Sequence, residues 1–137
     1  RIIAGAALGL ESPVKIRSKL FQVHLRLDGG GRIALPAEHS ERALYVLRGR
    51  LTVDGQPIES GRAVVLPAGQ SVDCAAEAPA EVMAFGGEPL GPRFLWWNFV
   101  ASTRERIEQA KADWKAGRFP LPPGDHDSFI PLPEDRA

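Results

Sequence analysis

The sequence predicts an all-β barrel or sandwich, followed by one C-terminal α-helix and an extended, proline-rich tail. Three observations carry this prediction. Short apolar and alternating segments fill residues 1 to about 87, and turn residues separate them at spacings of about ten residues. A single helical periodicity follows, and it ends in a run of prolines.

The clearest strand is Phe21-Gln22-Val23-His24-Leu25-Arg26-Leu27, in which apolar and polar residues alternate with period two. One face is therefore buried and the other wet. Gly29-Gly30-Gly31 ends it. Arg32 to Leu35 reads as a short strand closed by Pro36, and Leu44 to Leu47 as a strand covered on both sides. After Gly49, Leu51-Thr52-Val53 runs into Asp54-Gly55, a strong turn signal because glycine accepts positive φ. Ser60-Gly61 is a second turn, and Ala63 to Leu66 and Glu81 to Phe85 complete the set.

Residues 102 to 116 then read as a helix. Ser102 and Glu105 stand at capping-box spacing, which satisfies free amide donors in the first turn. Ile107, Ala110 and Trp114 form a narrow apolar stripe suited to packing on a barrel surface. Lys115 and Arg118 complement the negative end of the dipole, and Gly117 is a natural stop. The expected layout is a barrel over residues 1–100, a packed helix over 101–117 and an extended tail over 118–137.

Composition excludes several classes. A hydrophobic share of 44% and a charged share of 25% are those of a folded globular chain. Lys plus Arg equals Asp plus Glu, 17 each. No basic stripe is present, so nucleic-acid binding is not expected. One cysteine, Cys74, rules out an internal disulfide and a structural zinc cluster, and fits a reducing, cytoplasmic setting. No apolar run is long enough to cross a membrane. The chain opens on Arg1 and enters Ile2-Ile3 at once, as a fragment with an upstream partner domain would.

A spaced frame of glycines and prolines is more specific. Gly31 is followed by five residues and a three-residue slot at 37–39, and Gly49 fixes a further slot at 42. Gly61, Pro67 and Gly69 then place a last slot at 72. Gly31 to Ala76 thus resembles the two signature motifs of the cupin superfamily, a double-stranded β-helix or jelly-roll barrel. In that family the slots carry histidines and a glutamate that hold a divalent metal with open positions. Here they carry Ala37, His39, Arg42 and Val72. Only His39 has a donor atom a metal could use, and Arg42 is a fixed cation. Glu38 and Glu41 neighbour the slots and, on a strand, would face the other way.

Gly87-Glu88-Pro89-Leu90, Asn98-Phe99-Val100, Arg106-Ile107-Glu108-Gln109-Ala110, Asp113-Trp114 and Gly117-Arg118-Phe119 are similar to the C-terminal cupin of the pirin family. The resemblance covers nearly the whole chain from Ile2-Ile3-Ala4-Gly5 onward. It implies one half of a bicupin whose N-terminal cupin holds iron or another divalent metal, while this half holds no cofactor and no catalytic residue. It also implies a complete protein with quercetin 2,3-dioxygenase activity, as in some bacterial members, or the nuclear role of the animal member. The Trp96-Trp97 pair departs from the animal sequence and weakens that second transfer.

Expectations for single residues follow. His39, Arg42 and Tyr45 are candidates for a ligand pocket, in which a small aromatic molecule would bind if the domain were a non-catalytic binding or regulatory module. The blander readings are a satisfied core histidine, an arginine neutralising Glu41 or Glu38 at the rim, and a packed tyrosine. Trp96, Trp97 and Phe99 are expected either to cover one barrel end or to dock the N-terminal cupin. Cys74 reads as a small buried hydrophobe and His24 as a wet-face residue. Asp125-His126-Asp127 reads as an exposed polar loop.

Overall fold

The computed structural model describes residues 1–125 and 128–133. The chain divides into two compact units, Arg1–Pro89 and Leu90–Ala137. His126 and Asp127 of the acidic tail cluster lie outside the described residues.

Unit 1 is two antiparallel sheets around one core. The larger sheet uses β1 (Ile2–Ala7), β2 (Leu10–Glu11), β3 (Leu20–Leu27), β5 (Glu41–Arg48), β8 (Ala63–Val65) and β10 (Ala80–Gly87) in the order β2-β1-β3-β10-β5-β8. The smaller uses β4 (Gly31–Leu35), β6 (Arg50–Val53), β7 (Gln56–Glu59) and β9 (Val72–Ala76) in the order β4-β9-β6-β7. Phe21 and Val23 of β3, Leu44 and Val46 of β5, and Val82 and Ala84 of β10 face inward. They meet Leu51, Val53, Val72, Cys74 and Leu35 from the smaller sheet. The all-β fold with a single C-terminal helix is therefore as the sequence predicts.

The turn chemistry is also as expected. Asp54 and Gly55 both take positive φ, 46° and 80°, and close the β6–β7 hairpin, the geometry whose twist matches the flanking strands. Gly49, between β5 and β6, has φ 76°, and a Cβ there would stand 2.6 Å from the carbonyl oxygen of Pro79. Both the backbone angle and the close approach require glycine.

Two expectations are corrected. Leu44 to Leu47 is covered on one side only: Leu44 and Val46 are buried, whereas Tyr45 and Leu47 are exposed. The aromatic segment placed with the barrel forms the hairpin of β11 (Phe94–Trp96) and β12 (Phe99–Ala101), which groups with the helix in unit 2.

Unit 2 is built on aromatic rings. The helix α1 runs Arg104–Lys115 and is capped by Thr103 rather than Ser102, the Thr103 hydroxyl accepting from the Arg106 amide. Ile107 is its buried residue. Trp97, Phe99, Trp114 and Phe119 stack or meet edge to face with centroids 5.2 to 6.1 Å apart, geometries that add to area burial. The tail folds back on the same cluster. Phe129 stacks on Trp114, whose indole N–H donates to the Ile130 carbonyl at 2.8 Å. No helix is long and apolar enough to cross a membrane among the described residues.

Candidate functional site

The four slots of the cupin frame gather at one end of unit 1. Val72 opens β9, pairs with Leu35 of β4 and is fully buried. Ala37 lies in the loop between β4 and β5 and is exposed. His39, in the same loop, and Arg42, the second residue of β5, are 5% and 4% exposed, which places both inside. With Ser12 they are the buried polar side chains among the described residues.

Arg42 is the organising group. Its Nη1 donates to the carbonyls of Leu35 at 3.2 Å and Pro36 at 2.9 Å. Its Nη2 donates to Pro67 at 2.7 Å and Gln70 at 2.6 Å. One planar guanidinium thus joins the loop after β4 to the loop after β8, using donors whose fork is fixed by resonance. The expectation that Arg42 neutralises Glu41 or Glu38 is corrected: none of its hydrogen bonds goes to a carboxylate. Pro36 and Pro67 interrupt strand pairing there, which leaves loop carbonyls in need of a donor, and the Leu35 carbonyl at the end of β4 also accepts from the Ser71 hydroxyl at 3.3 Å.

His39 stacks on Phe21 with centroids 4.7 Å apart, and its Nε2 lies 2.9 Å from the Ala6 carbonyl. A carbonyl only accepts, so Nε2 carries a proton, and Nδ1 is the ring nitrogen without a hydrogen-bond partner among the described residues. The Glu88 carboxylate stands 3.9 Å from Nδ1. The Ser40 hydroxyl and amide both donate to Glu88. The Ser40 hydroxyl bond is the main cause holding this carboxylate below its ordinary range, with Lys19 adding to it. Glu38 is exposed, and its Oε2 accepts from the Leu8 amide at 3.0 Å.

Tyr45 does not join this group. It follows β5 by period two onto the outer face of the larger sheet, with Leu47, Met83 and Phe85, where an apolar groove of about 570 Å³ runs. His39 and Arg42 line an inner cavity of only about 10 Å³ together with Phe21, Leu35 and Leu66, room for about one water molecule. A wider cleft of about 460 Å³ lies outside, with Lys19, Glu38 and His39 on its walls. The ligand pocket expected from His39, Arg42 and Tyr45 is therefore not assembled.

A divalent metal does not fit the slots. A methyl and an isopropyl offer no donor, the guanidinium is a cation, and the Nε2 of His39 is committed to Ala6. No three His, Cys, Asp or Glu side chains are grouped as metal ligands among the described residues.

Trp96, Trp97 and Phe99 have ring partners within unit 2. Lys111 lies over Trp96, its nitrogen 4.3 Å from the ring centroid, a cation–π contact. The exposed apolar pair on that hairpin is Leu95 and Val100, directly opposite each other. The outward alternation of β11 and β12 was the signal that would have found them. His24 sits on the outer sheet face, 3.4 Å from Glu81.

Cys74 is buried and free. Burial pushes its thiol from 9.0 up to about 11, with the charges of Asp54 and Asp73 adding to the rise.

Residues 22–120 match the family described as the pirin C-terminal cupin domain. A pirin-like protein of Caulobacter vibrioides is 53% identical over 134 residues, 98% of this chain and 46% of the relative. Pirin of Homo sapiens is 30% identical over 83% of this chain and 42% of its own length. A crystal structure of quercetin 2,3-dioxygenase from Acinetobacter baumannii is similar with a TM-score of 0.84 at 27% identity, covering 99% of this chain and 48% of that one. The chain spans less than half the length of these curated relatives.

Two outcomes are expected. Arg42→Lys keeps the charge but cannot serve four separated carbonyls, so it lowers stability by about 3 kcal/mol. Urea unfolding followed by far-UV circular dichroism measures this, and a loss below about 0.5 kcal/mol would contradict the clasp. The second concerns Cys74. Its raised folded-state pKa stabilises fully below pH 9.0, and that contribution is lost as pH rises from 9.0 to about 11, on the order of 2 to 3 kcal/mol. The stability of Cys74→Ala, compared with the natural chain across that range, should fall less steeply. Parallel curves would rule the effect out.

Proposed function

The chain belongs to the pirin family as a pirin C-terminal cupin domain, and on that premise we propose that it is the metal-free half of a bicupin, supporting and orienting a metal-bearing N-terminal cupin. The observation that carries the reading is Arg42. A guanidinium stands where the family frame has a metal-ligating carboxylate, and it is held by four carbonyls, one at the end of β4 and three in the two loops. A fixed internal cation links those loops, and it repels any added one. In the complete protein the iron or other divalent metal, and the chemistry of flavonol cleavage, belong to the other half.

The partner half needs a surface. The outer face of the larger sheet leaves Tyr45, Leu47 and Phe85 exposed side by side, around the groove that Met83 also lines. Contiguous exposed apolar groups on one sheet face suit a docking site. The relatives' additional length supplies the occupant: a second domain covalently present in the same protein. Reading the domain instead as a binding module for a small aromatic molecule finds little support inside unit 1, because the cavity at His39 and Arg42 has space for about one water.

Elemental analysis of the purified chain should return far less than one iron, nickel or zinc per chain, and the chain alone should not cleave quercetin, whereas the protein with both halves should. One metal per chain, or flavonol cleavage by the chain alone, would defeat the proposal. For the docking face, Phe85→Glu should abolish co-purification with a separately expressed N-terminal half while leaving the thermal unfolding of this chain within a few degrees of the natural one. Undiminished capture of the partner would put the interface elsewhere.

A further inference from the structure

We propose that the cavity between Arg42 and His39 is a binding site for one neutral molecule the size of water, and that an ordered water there bridges the Nε–H of Arg42 to the Nδ1 of His39. The inference rests on the metal-free reading above and adds what occupies the interior in place of an ion.

Two buried side-chain atoms lack a hydrogen-bond partner among the described residues, and they are Nδ1 of His39 and Nε of Arg42. Both side chains are more than nine-tenths buried. Both line the same small cavity, whose walls also include the apolar Ala7, Phe21, Leu66 and Ala84 and the acidic Glu38. An unmet buried donor or acceptor is costly, and such atoms in proteins are met by ordered water where space allows.

The chemistry of the two atoms selects the guest. Arg42 has used four of its five N–H groups, so Nε–H is the one donor left. His39 has its Nε2 on the Ala6 carbonyl, so Nδ1 is the ring nitrogen left unmet, an acceptor in the tautomer that protonates Nε2 alone. A site with one donor and one acceptor matches a molecule that both accepts and donates. A halide would take the Arg42 hydrogen but meet the negative charge of Glu88, 3.9 Å from Nδ1, and of Glu38 on the cavity wall. A metal ion would suit Nδ1 but meet the guanidinium. The hydroxyl of an alcohol or phenol has the right polarity, but a volume of about 10 Å³ leaves no place for its carbon skeleton. Water fits on all three counts. Its role is to join the Arg42 clasp, which holds two loops, to His39 and through it to β1.

High-resolution crystals of the full chain decide the matter. The expected result is one well-ordered, non-anomalous peak about 2.7 to 3.2 Å from both atoms. In His39→Phe, which removes the acceptor and fills the space, the peak should vanish with Arg42 unmoved; in His39→Gln, which keeps an acceptor, a peak should remain. A dry cavity in the natural chain, or a peak touching only one of the two atoms, overturns the water site and leaves the metal-free reading standing. Anomalous signal at that position after a bromide soak overturns it in favour of an anion. A peak ligated by His39 with anomalous signal at the edge of a transition metal overturns both readings at once.

Discussion

A single buried guanidinium holds the business end of this domain together. The carbonyls of Leu35 at the end of β4 and of Pro36, Pro67 and Gln70 in the loops converge on Arg42, and a buried carbonyl without a donor is a steep local penalty. The usual objection to a buried charge is its desolvation. Here four carbonyl dipoles stand around the cation and replace much of the lost hydration. The proposed metal-free reading rests on the same arrangement, because a permanent positive charge at that spot opposes a second cation beside it. The fold's closure and its lack of a ligand set at the slots are thus two aspects of one side chain.

Around that clasp the sheets do ordinary work. Period-two alternation in β3, β5 and β10 delivers their apolar faces to one core. Cys74 belongs to this layer, since its raised thiol pKa reflects burial first and acidic neighbours second. Unit 2 reaches its own stability differently, by packing rings from a hairpin, a helix and a tail.

Much of this was legible in the residues, because turns and helix ends are written locally. Asp54-Gly55, Gly49 and Gly117 announce themselves through the backbone they require, and the helix stripe of Ile107, Ala110 and Trp114 is plain. The cap moved by one residue because Ser102 and Thr103 offer the same hydroxyl. β9 was harder to see, because Val72, Cys74 and Ala76 alternate correctly but two of the three are small. Tyr45 was misplaced because an unbroken apolar run hides which of its members face inward. The partners of Arg42 were beyond reach of the sequence, since they are main-chain carbonyls, and those are brought together by the fold and carry no residue identity.

The ring cluster of unit 2 has one more consequence. All three tryptophans of the chain, Trp96, Trp97 and Trp114, reside in that unit, and the sole tyrosine, Tyr45, resides in the other. Indole emission therefore originates wholly in the hairpin and helix of that unit. The two units thus carry different, naturally built optical labels, so the unaltered chain offers an indole signal from one and a phenol absorbance from the other.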